Sequence, residues 1–400
     1  MNNNIYLDNA ATTPVDPQVL KAMMPYFCEE YGNASSLHQM GTEAMAAVDA
    51  SRAEIADFLG CSPEEVYFTS GATESDNMAV LGLVGAFQRQ FPGKKWHIIA
   101  SQIEHDAILE TFKRLAEEGV ETTYLPVNSR GLVEVNRLKK AIRPNTILVS
   151  IMYANNEIGA IQPIAEIGEL IKEINKKSKG GRFSRIYFHT DAVQAAGYLN
   201  CDVKKLGVDL LSLSGHKIYG PKGVGALYLK KGTPFEPLFF GGHQQNDIRV
   251  GTYNVPGIVG LGKAVELAGT KTQKHKNTKT QELRDYLVKE VKRKITGVLV
   301  NGDLRRRLPN NASFIFKGAE GESIVLMLSQ KGIATSTGSA CSSGSLEPSH
   351  VLLAIGIKPE LAHGSLRVTL GRFTTKKDIN ILLRELPPII EKLRKMSPLK

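Results

Sequence analysis

The run Leu210-Leu211-Ser212-Leu213-Ser214-Gly215-His216-Lys217-Ile218-Tyr219-Gly220-Pro221-Lys222-Gly223-Val224-Gly225 leads directly into Ala226-Leu227-Tyr228-Leu229. An apolar segment of strand length empties into a polar turn carrying a lysine, and glycine and proline then open a second apolar segment. A lysine in that setting sits at a strand end, not on a solvated helix face. Partly desolvated, it loses proton affinity and can form a Schiff base with a carbonyl cofactor, while neighbouring hydroxyl and imidazole groups can hold a phosphate. The same residues also describe a surface lysine in an ordinary turn, and Lys222 is a rival five positions on. The flanking sequence has to separate these readings.

Outward from that turn, short apolar runs alternate with amphipathic helices. Val66-Tyr67-Phe68, His97 to Ala100, Thr123-Tyr124-Leu125, Ile147 to Met152, Ile186 to Phe188, Leu210 to Leu213 and Ala226 to Leu229 read as strands. Helices fill 74–91, 106–118, 134–142, 163–176 and 202–206. Strands separated by helices imply a mostly parallel sheet covered on both faces, with the two strands joined by the Lys217 turn free to pair antiparallel. Ligands in such sheets bind at the carboxyl ends of the strands. Those ends are rich in chemistry: Thr69-Ser70-Gly71-Ala72-Thr73-Glu74 suits a phosphate at a helix start. Glu104-His105, Asn155-Asn156-Glu157, Asp191 with Gln194, and Ser214 with His216 and Lys217 follow the other runs.

Four hundred residues exceed one typical core, so two domains are expected. The 42% hydrophobic and 22% charged composition is that of a folded soluble protein. No signal-peptide pattern opens the chain and no apolar run approaches the ~20 residues of a membrane span, so the reading is cytoplasmic with no membrane partner. The net charge of +10 concentrates in Lys172–Arg185 and Lys271–Lys279, polar segments without interleaved aromatics, which read as solvated surface and not as a nucleic-acid site. Cys28, Cys61, Cys201 and Cys341 lack metal-ligand spacing, which argues against a zinc site or a disulfide framework.

Toward the start, Ile5-Tyr6-Leu7 is strand-like, Asp8 to Pro14 reads as a turn, and Asp16-Pro17 opens a helix through Phe27. Ala44, Val48, Ile55 and Leu59 share one helix face up to Gly60, and Ser62 to Glu65 carries a capping box. After a helix from Pro256 to Ala268, the Lys/Thr/Gln tract marks the domain change, giving a large domain over 14–262 and a small α+β domain from 1–13 and 263–400. Helix (282–294), strands (298–300, 313–316), helix (321–331), an irregular stretch, strand (366–370) and a final helix capped by Thr375 and Asp378 complete the chain. Within the irregular stretch, Thr335 to Ser345 has almost no apolar anchor and is expected to be a mobile surface segment exposing the thiol of Cys341. The other three cysteines lie in or beside apolar patterns, as small packing residues do.

Taken together, Tyr6 to Pro14, Thr69 to Ser75, Glu104-His105, Asn155 to Gly159, Asp191 to Gln194, Ser214 to Gly223 and Gly338 to Ser349 resemble the motif set of cysteine desulfurases of the NifS/IscS class. These are class-V aminotransferase relatives of pyridoxal-phosphate (PLP) fold type I, and the match spans essentially the whole chain. The resemblance implies an α/β architecture with a mostly parallel seven-stranded sheet and a homodimer. It implies that Lys217, not Lys222, bonds PLP and shuttles the Cα proton, and that Asp191 pairs with the pyridinium nitrogen. Gln194 meets the ring hydroxyl, and His105 stacks on the ring. Ala72, Thr73, Ser214 and His216 hold the phosphate, with Thr252 reaching in from the partner subunit. Arg367, helped by Asn156, clamps the substrate carboxylate.

Cys341 then takes sulfur from L-cysteine as a persulfide, releasing L-alanine and passing the sulfur to an iron–sulfur scaffold or another acceptor. No resident metal is implied, and Cys341 is the one candidate for a transient iron–sulfur ligand. The alternatives are a selenocysteine lyase or other PLP lyase, separable by comparing selenocysteine with cysteine turnover, and a non-catalytic sulfur-assembly scaffold, disfavoured by intact Lys217 and Cys341. The chain departs from the family pattern at His243, Gln245, Asp247 and Val250, where glycine, glutamate, glycine and serine are expected. Aspartate tolerates the left-handed conformation of a glycine, which lets the loop survive.

Overall fold

The computed structural model describes residues 4–177, 185–338 and 347–396. Its strands in chain order are β1 (Ile5–Tyr6), β2 (Val66–Thr69), β3 (His97–Ser101), β4 (Glu121–Leu125), β5 (Thr146–Ser150), β6 (Tyr187–Asp191), β7 (Leu210–Ser214), β8 (Gly225–Leu229), β9 (Val298–Val300), β10 (Asn311–Phe316), β11 (Ile333–Ala334) and β12 (Ser365–Thr369). Seven of them form the central sheet, in the order β2-β8-β7-β6-β5-β3-β4. Pairing is parallel from β4 through β7. It turns antiparallel where β8 meets β7 and β2, as the short Lys217 connection requires.

The two-residue period of the strands explains why helices cover both faces. Ile98, Leu148, Tyr187, Leu210 and Leu227 point into a core closed by the helical run from Ala72 to Gln90 and the helix Asp106–Glu117. Their neighbours Ile99, Val149, Phe188, Leu211 and Ala226 point into the opposite core, against helices Gln39–Leu59, Ile164–Lys177 and Val255–Gly269. Ala44, Val48, Ile55 and Leu59 are all fully buried there, and Gly60 ends their helix in the left-handed conformation at φ +67°. Val48, Ile55 and Leu59 each contribute roughly 1.5–3 kcal/mol on burial. A third core gathers around Phe314, Phe316, Leu366 and Val368 on the three-stranded sheet β12-β10-β9, and it includes Ile5 and Leu7 from the start of the chain.

Several elements differ from expectation. The polar tract at Lys271 is not a linker but the opening of a helix, Lys271–Lys294, divided from the preceding helix by Thr270 alone. Lysine and glutamine are strong helix formers, and the tract's polarity hid its period. The first helix is two, Pro17–Met23 and Pro25–Cys28, because Pro25 withholds the N–H that would continue the turn. The stretch expected to be irregular contains β11 and the short helices His350–Ala354 and Pro359–Ala362. Cys28 is exposed and not a packing residue, whereas Cys201 is buried. No helix among the described residues is long and apolar enough to cross a membrane.

Candidate active site

After Ser214 at the carboxyl end of β7, the chain makes one tight turn, Gly215–Lys217, and Tyr219 then takes φ +68°. A tyrosine in that region costs about 1–3 kcal/mol, so its surroundings must hold it there. Its N–H donates to Thr13 Oγ1 at 2.9 Å, its carbonyl accepts from Asp16 N at 3.0 Å, and its hydroxyl accepts from Arg372 N at 2.6 Å. The Arg372 guanidinium also lies 3.7 Å over its ring. Gly220 follows because a Cβ there would stand 2.9 Å from Gly215 O. The turn is thereby zipped onto residues 10–16. Lys217 Nζ donates to Ala10 O at 2.6 Å and Ala11 O at 2.8 Å, and Gln194 Nε2 donates to the same Ala10 carbonyl at 3.0 Å.

Opposite Lys217, β2 ends in the Gly71 turn that starts the helical run Ala72–Gln90, whose middle, Met78–Gly82, widens into a π turn. Gly225 lets β8 press on this turn, since a Cβ there would lie 2.8 Å from Gly71 Cα. The first N–H groups of the run, at Ala72 and Thr73, have no intrahelical acceptor, and both residues line the cavity together with Ser214 and His216. His216 Nδ1 sits 3.1 Å from Thr12 Oγ1, and burial, reinforced by Lys217 and Lys222, pushes its ring down to about 4, so it is neutral near pH 7. Burial alone would push the Glu74 carboxyl up, but Arg249 at 2.7 Å and the Ser70 N–H hold it below its usual range.

The remaining wall comes from the ends of β3, β5 and β6 and from the middle of β12. His105 caps its helix by accepting from Ala107 N at 3.1 Å through Nδ1, which leaves the proton of the neutral ring on Nε2. Asp191 is buried. Burial raises its carboxyl, and the Val193 N–H at 2.9 Å, His105 and Lys217 oppose that shift. Arg367 is 2% exposed, with Nη2 2.9 Å from Asp8 Oδ1 and Nη1 donating to Asn156 O at 3.1 Å. Asn155 shapes that turn, its Oδ1 accepting from Glu157 N and Ile158 N. Glu157, pushed up to about 7 by burial, accepts from Ser349 Oγ. Glu104, pushed up to about 8, accepts from Met152 N.

A cavity of about 570 Å³ collects Lys217, Asp191, Gln194, His105, Ala72, Thr73, Asn156, Ser214, His216 and Arg367. Lys222 reaches the same cavity from an exposed position. Thr252 does not line it: it is exposed on a loop tied to the Gly71 turn by the Arg249–Glu74 ion pair. In that loop Gln245, Asn246 and Asp247 take φ of 50°, 55° and 63°, the left-handed conformation expected at Asp247. Cys341 lies outside the described residues. Sequence reading missed Asp8, Asp76, and the carbonyls of Ala10 and Ala11. By local chemistry Asp8 and the alanines are turn residues within a longer motif, and Asp76, three residues after Thr73, is one polar position of a helix. Among the described residues no group of three or more His, Cys, Asp or Glu could hold a metal ion.

Comparison with known proteins places this geometry in a family. The aminotransferase class-V profile matches residues 5–382. The cysteine desulfurase IscS of Dictyoglomus turgidum is 52% identical over 400 residues, covering 100% of this chain and 98% of its own. The solved structure of a NifS-like protein superposes with a TM-score of 0.88 at 38% identity, over 97% of this chain and 100% of that one. A structure described as SspA in complex with cysteine gives 0.79 at 37% identity, over 93% and 100%.

Proposed function

The chain belongs to the class-V aminotransferase family and is a cysteine desulfurase, and from that premise we propose how its own residues divide the reaction. The family is pyridoxal-phosphate-dependent, and the cavity fits that group. It offers one half-buried amine, one buried carboxylate with Lys217 and His105 beside it, and a helix start with hydroxyl and imidazole groups for a phosphate. When bound, the cofactor withdraws electrons from the substrate's α-carbon.

Lys217 is the amine that binds the cofactor and the base that moves the Cα proton. Its two carbonyl partners, Ala10 and Ala11, aim Nζ at the cavity. Asp191 would keep the ring nitrogen protonated, Gln194 would meet the ring hydroxyl, and His105 would lie against the ring. Ala72, Thr73, Ser214 and neutral His216 hold the phosphate. Arg367 takes the carboxylate of L-cysteine beside Asn156. Cys341, as thiolate, attacks the substrate sulfur. The S–S bond forms as C–S breaks, and the carbon takes a proton, giving L-alanine and a persulfide that an acceptor protein for iron–sulfur or thio-cofactor assembly removes.

Homodimerisation is supported by apolar side chains left uncovered near the start of the chain: Met24, Phe27, Tyr31 and Leu37 are exposed, Leu37 by 98%. Thr252 belongs to the partner's phosphate site in that assembly. A second domain that takes in the start of the chain is supported by the separate core into which Ile5 and Leu7 pack, while the boundary at 262 falls inside helix Val255–Gly269, whose Ala264 and Val265 pack in the large core.

The observation that carries the proposal is the convergence on one cavity of Lys217 from the turn after β7, Asp191 from the end of β6 and Arg367 from the middle of β12. The test is the stoichiometry of L-alanine and sulfane sulfur formed from L-cysteine by protein loaded with pyridoxal phosphate. Equal amounts are expected from the wild type and none from Lys217→Ala, which also loses the yellow colour. Turnover surviving in Lys217→Ala with Lys222 intact would assign the cofactor to the wrong lysine.

A further inference from the structure

Asp76 lies three residues beyond Thr73 on the helical run from Ala72. It is 1% exposed and borders the same cavity, and neither of its carboxyl oxygens has a hydrogen-bond partner among the described residues. His189 of β6 lies closest in charge terms, with Nε2 3.6 Å from Oδ1. That ring is already held by the Ser150 hydroxyl at 2.8 Å on Nδ1 and the Ser212 hydroxyl at 3.0 Å on Nε2, and burial pushes it down to about 3, so it supplies no positive charge. The other titratable groups facing Asp76 are acids, Asp191 at the end of β6 and Glu104 beyond β3. Burial, then the Asp191 charge, push Asp76 well above the carboxylate range; the Ser212 hydroxyl opposes this and Glu104 adds to it.

Asp191, one of the two acids beside it, has what Asp76 lacks: an N–H donor from Val193 at 2.9 Å, with His105 and Lys217 nearby. Two adjacent buried carboxyls do not both ionise when one proton can be shared, and the one with no backbone N–H donor and no cation beside it keeps it. We infer that Asp76 is a neutral, proton-bearing carboxylic acid that leaves Asp191 as the charged member of the pair. It acts as a positioning residue, and its consequence for the cofactor rests on the reading that Asp191 faces the pyridinium nitrogen. A second negative charge beside Asp191 would raise its proton affinity, and a protonated Asp191 no longer secures the ring proton.

Infrared difference spectra of the apoenzyme at neutral pH, wild type minus Asp76→Asn, test the proton directly. The expected result is loss of a protonated-carboxyl C=O band. Loss of an ionised-carboxylate band instead would overturn the inference, and Asp76→Ser provides the same comparison if the asparagine variant does not fold. Pyridoxal-phosphate titration adds the functional arm: affinity within about twofold of wild type for Asp76→Asn, against a loss of more than about tenfold for Asp191→Asn. Equal losses for the two would also overturn it. If the wild type bound no pyridoxal phosphate, the role given to Asp191 would fall, while the infrared band would still decide where the proton sits.

Discussion

Replacing Arg367 separates substrate recognition from scaffold stability, and the size of each effect can be worked out from its contacts. The side chain is 2% exposed; Nη2 pairs with Asp8 at 2.9 Å, Nη1 donates to Asn156 O at 3.1 Å, and Nε has no partner among the described residues. The side chain lines the cavity, which is where a carboxylate would dock. Two charge-assisted hydrogen bonds are worth about 1.5–3 kcal/mol each, and water recovers part of that when they are lost. A net loss of about 3 kcal/mol lowers kcat/KM for L-cysteine on the order of a hundredfold, mostly through KM. Breaking a buried ion pair costs about 3–5 kcal/mol. The stability loss falls toward the lower end because the Asp8 side chain keeps 17% exposure. Alanine formation across a range of L-cysteine concentrations, with urea unfolding on the same samples, reads both effects. Arg367→Lys keeps the charge but not the fork, and should recover stability more than KM. Asp8→Asn in the Arg367→Ala background should restore stability without restoring KM. A kcat/KM within about threefold of wild type in Arg367→Ala would refute the carboxylate assignment.

Gln245→Ala should destabilise the protein by about 2–4 kcal/mol, because its side chain serves the Phe68 N–H at 2.7 Å and carbonyl at 2.9 Å, on edge strand β2, and the Arg249 carbonyl at 3.1 Å; unchanged urea midpoints would contradict this. Glu104 is raised from 4.5 to about 8 by burial, so the folded state keeps a proton that the unfolded chain gives up. Its contribution is therefore intact below about pH 4.5 and declines as pH rises toward 8. Glu104→Gln should show a flatter fall in stability between pH 5 and pH 8 than wild type, with equal slopes as the contrary outcome. Asp378→Ala should cost about 1 kcal/mol by opening the reciprocal cap in which Thr375 N donates to the Asp378 carboxylate at 2.8 Å. Thermal melts of the pair of proteins check it.

What could be read from the sequence divides along physical lines. The strand ends were legible because a buried parallel strand is a short apolar run, and polar groups placed just beyond it have few structural uses. Lys217, Asp191, His105 and the Gly71 turn were all found that way. The contacts that aim them were not. Ala10 and Ala11 reach Lys217 through backbone carbonyls from more than two hundred positions away, and a carbonyl leaves no mark on residue type. Asp8 meets Arg367 across 359 positions, and on local chemistry Asp8 is just a turn residue. Asp76 was masked by its place in a regular helix, where an aspartate reads as solvated until the fold shows that it faces inward. Of the helix Lys271–Lys294 the second half, with Leu287 and Val291, was legible as 282–294, whereas its polar opening resembles a linker because no apolar stripe marks a face there.

Mass spectrometry of the protein after a single turnover of L-cysteine tests the central claim most directly, because it asks where the sulfur goes. Loaded with pyridoxal phosphate and quenched with an alkylating agent, the wild type should carry one added sulfur on the peptide containing Cys341 and none on those containing Cys28, Cys61 or Cys201. Cys341→Ala should keep its yellow colour and carry no added sulfur. Added sulfur on another cysteine, or normal L-alanine production by Cys341→Ala, would contradict the account.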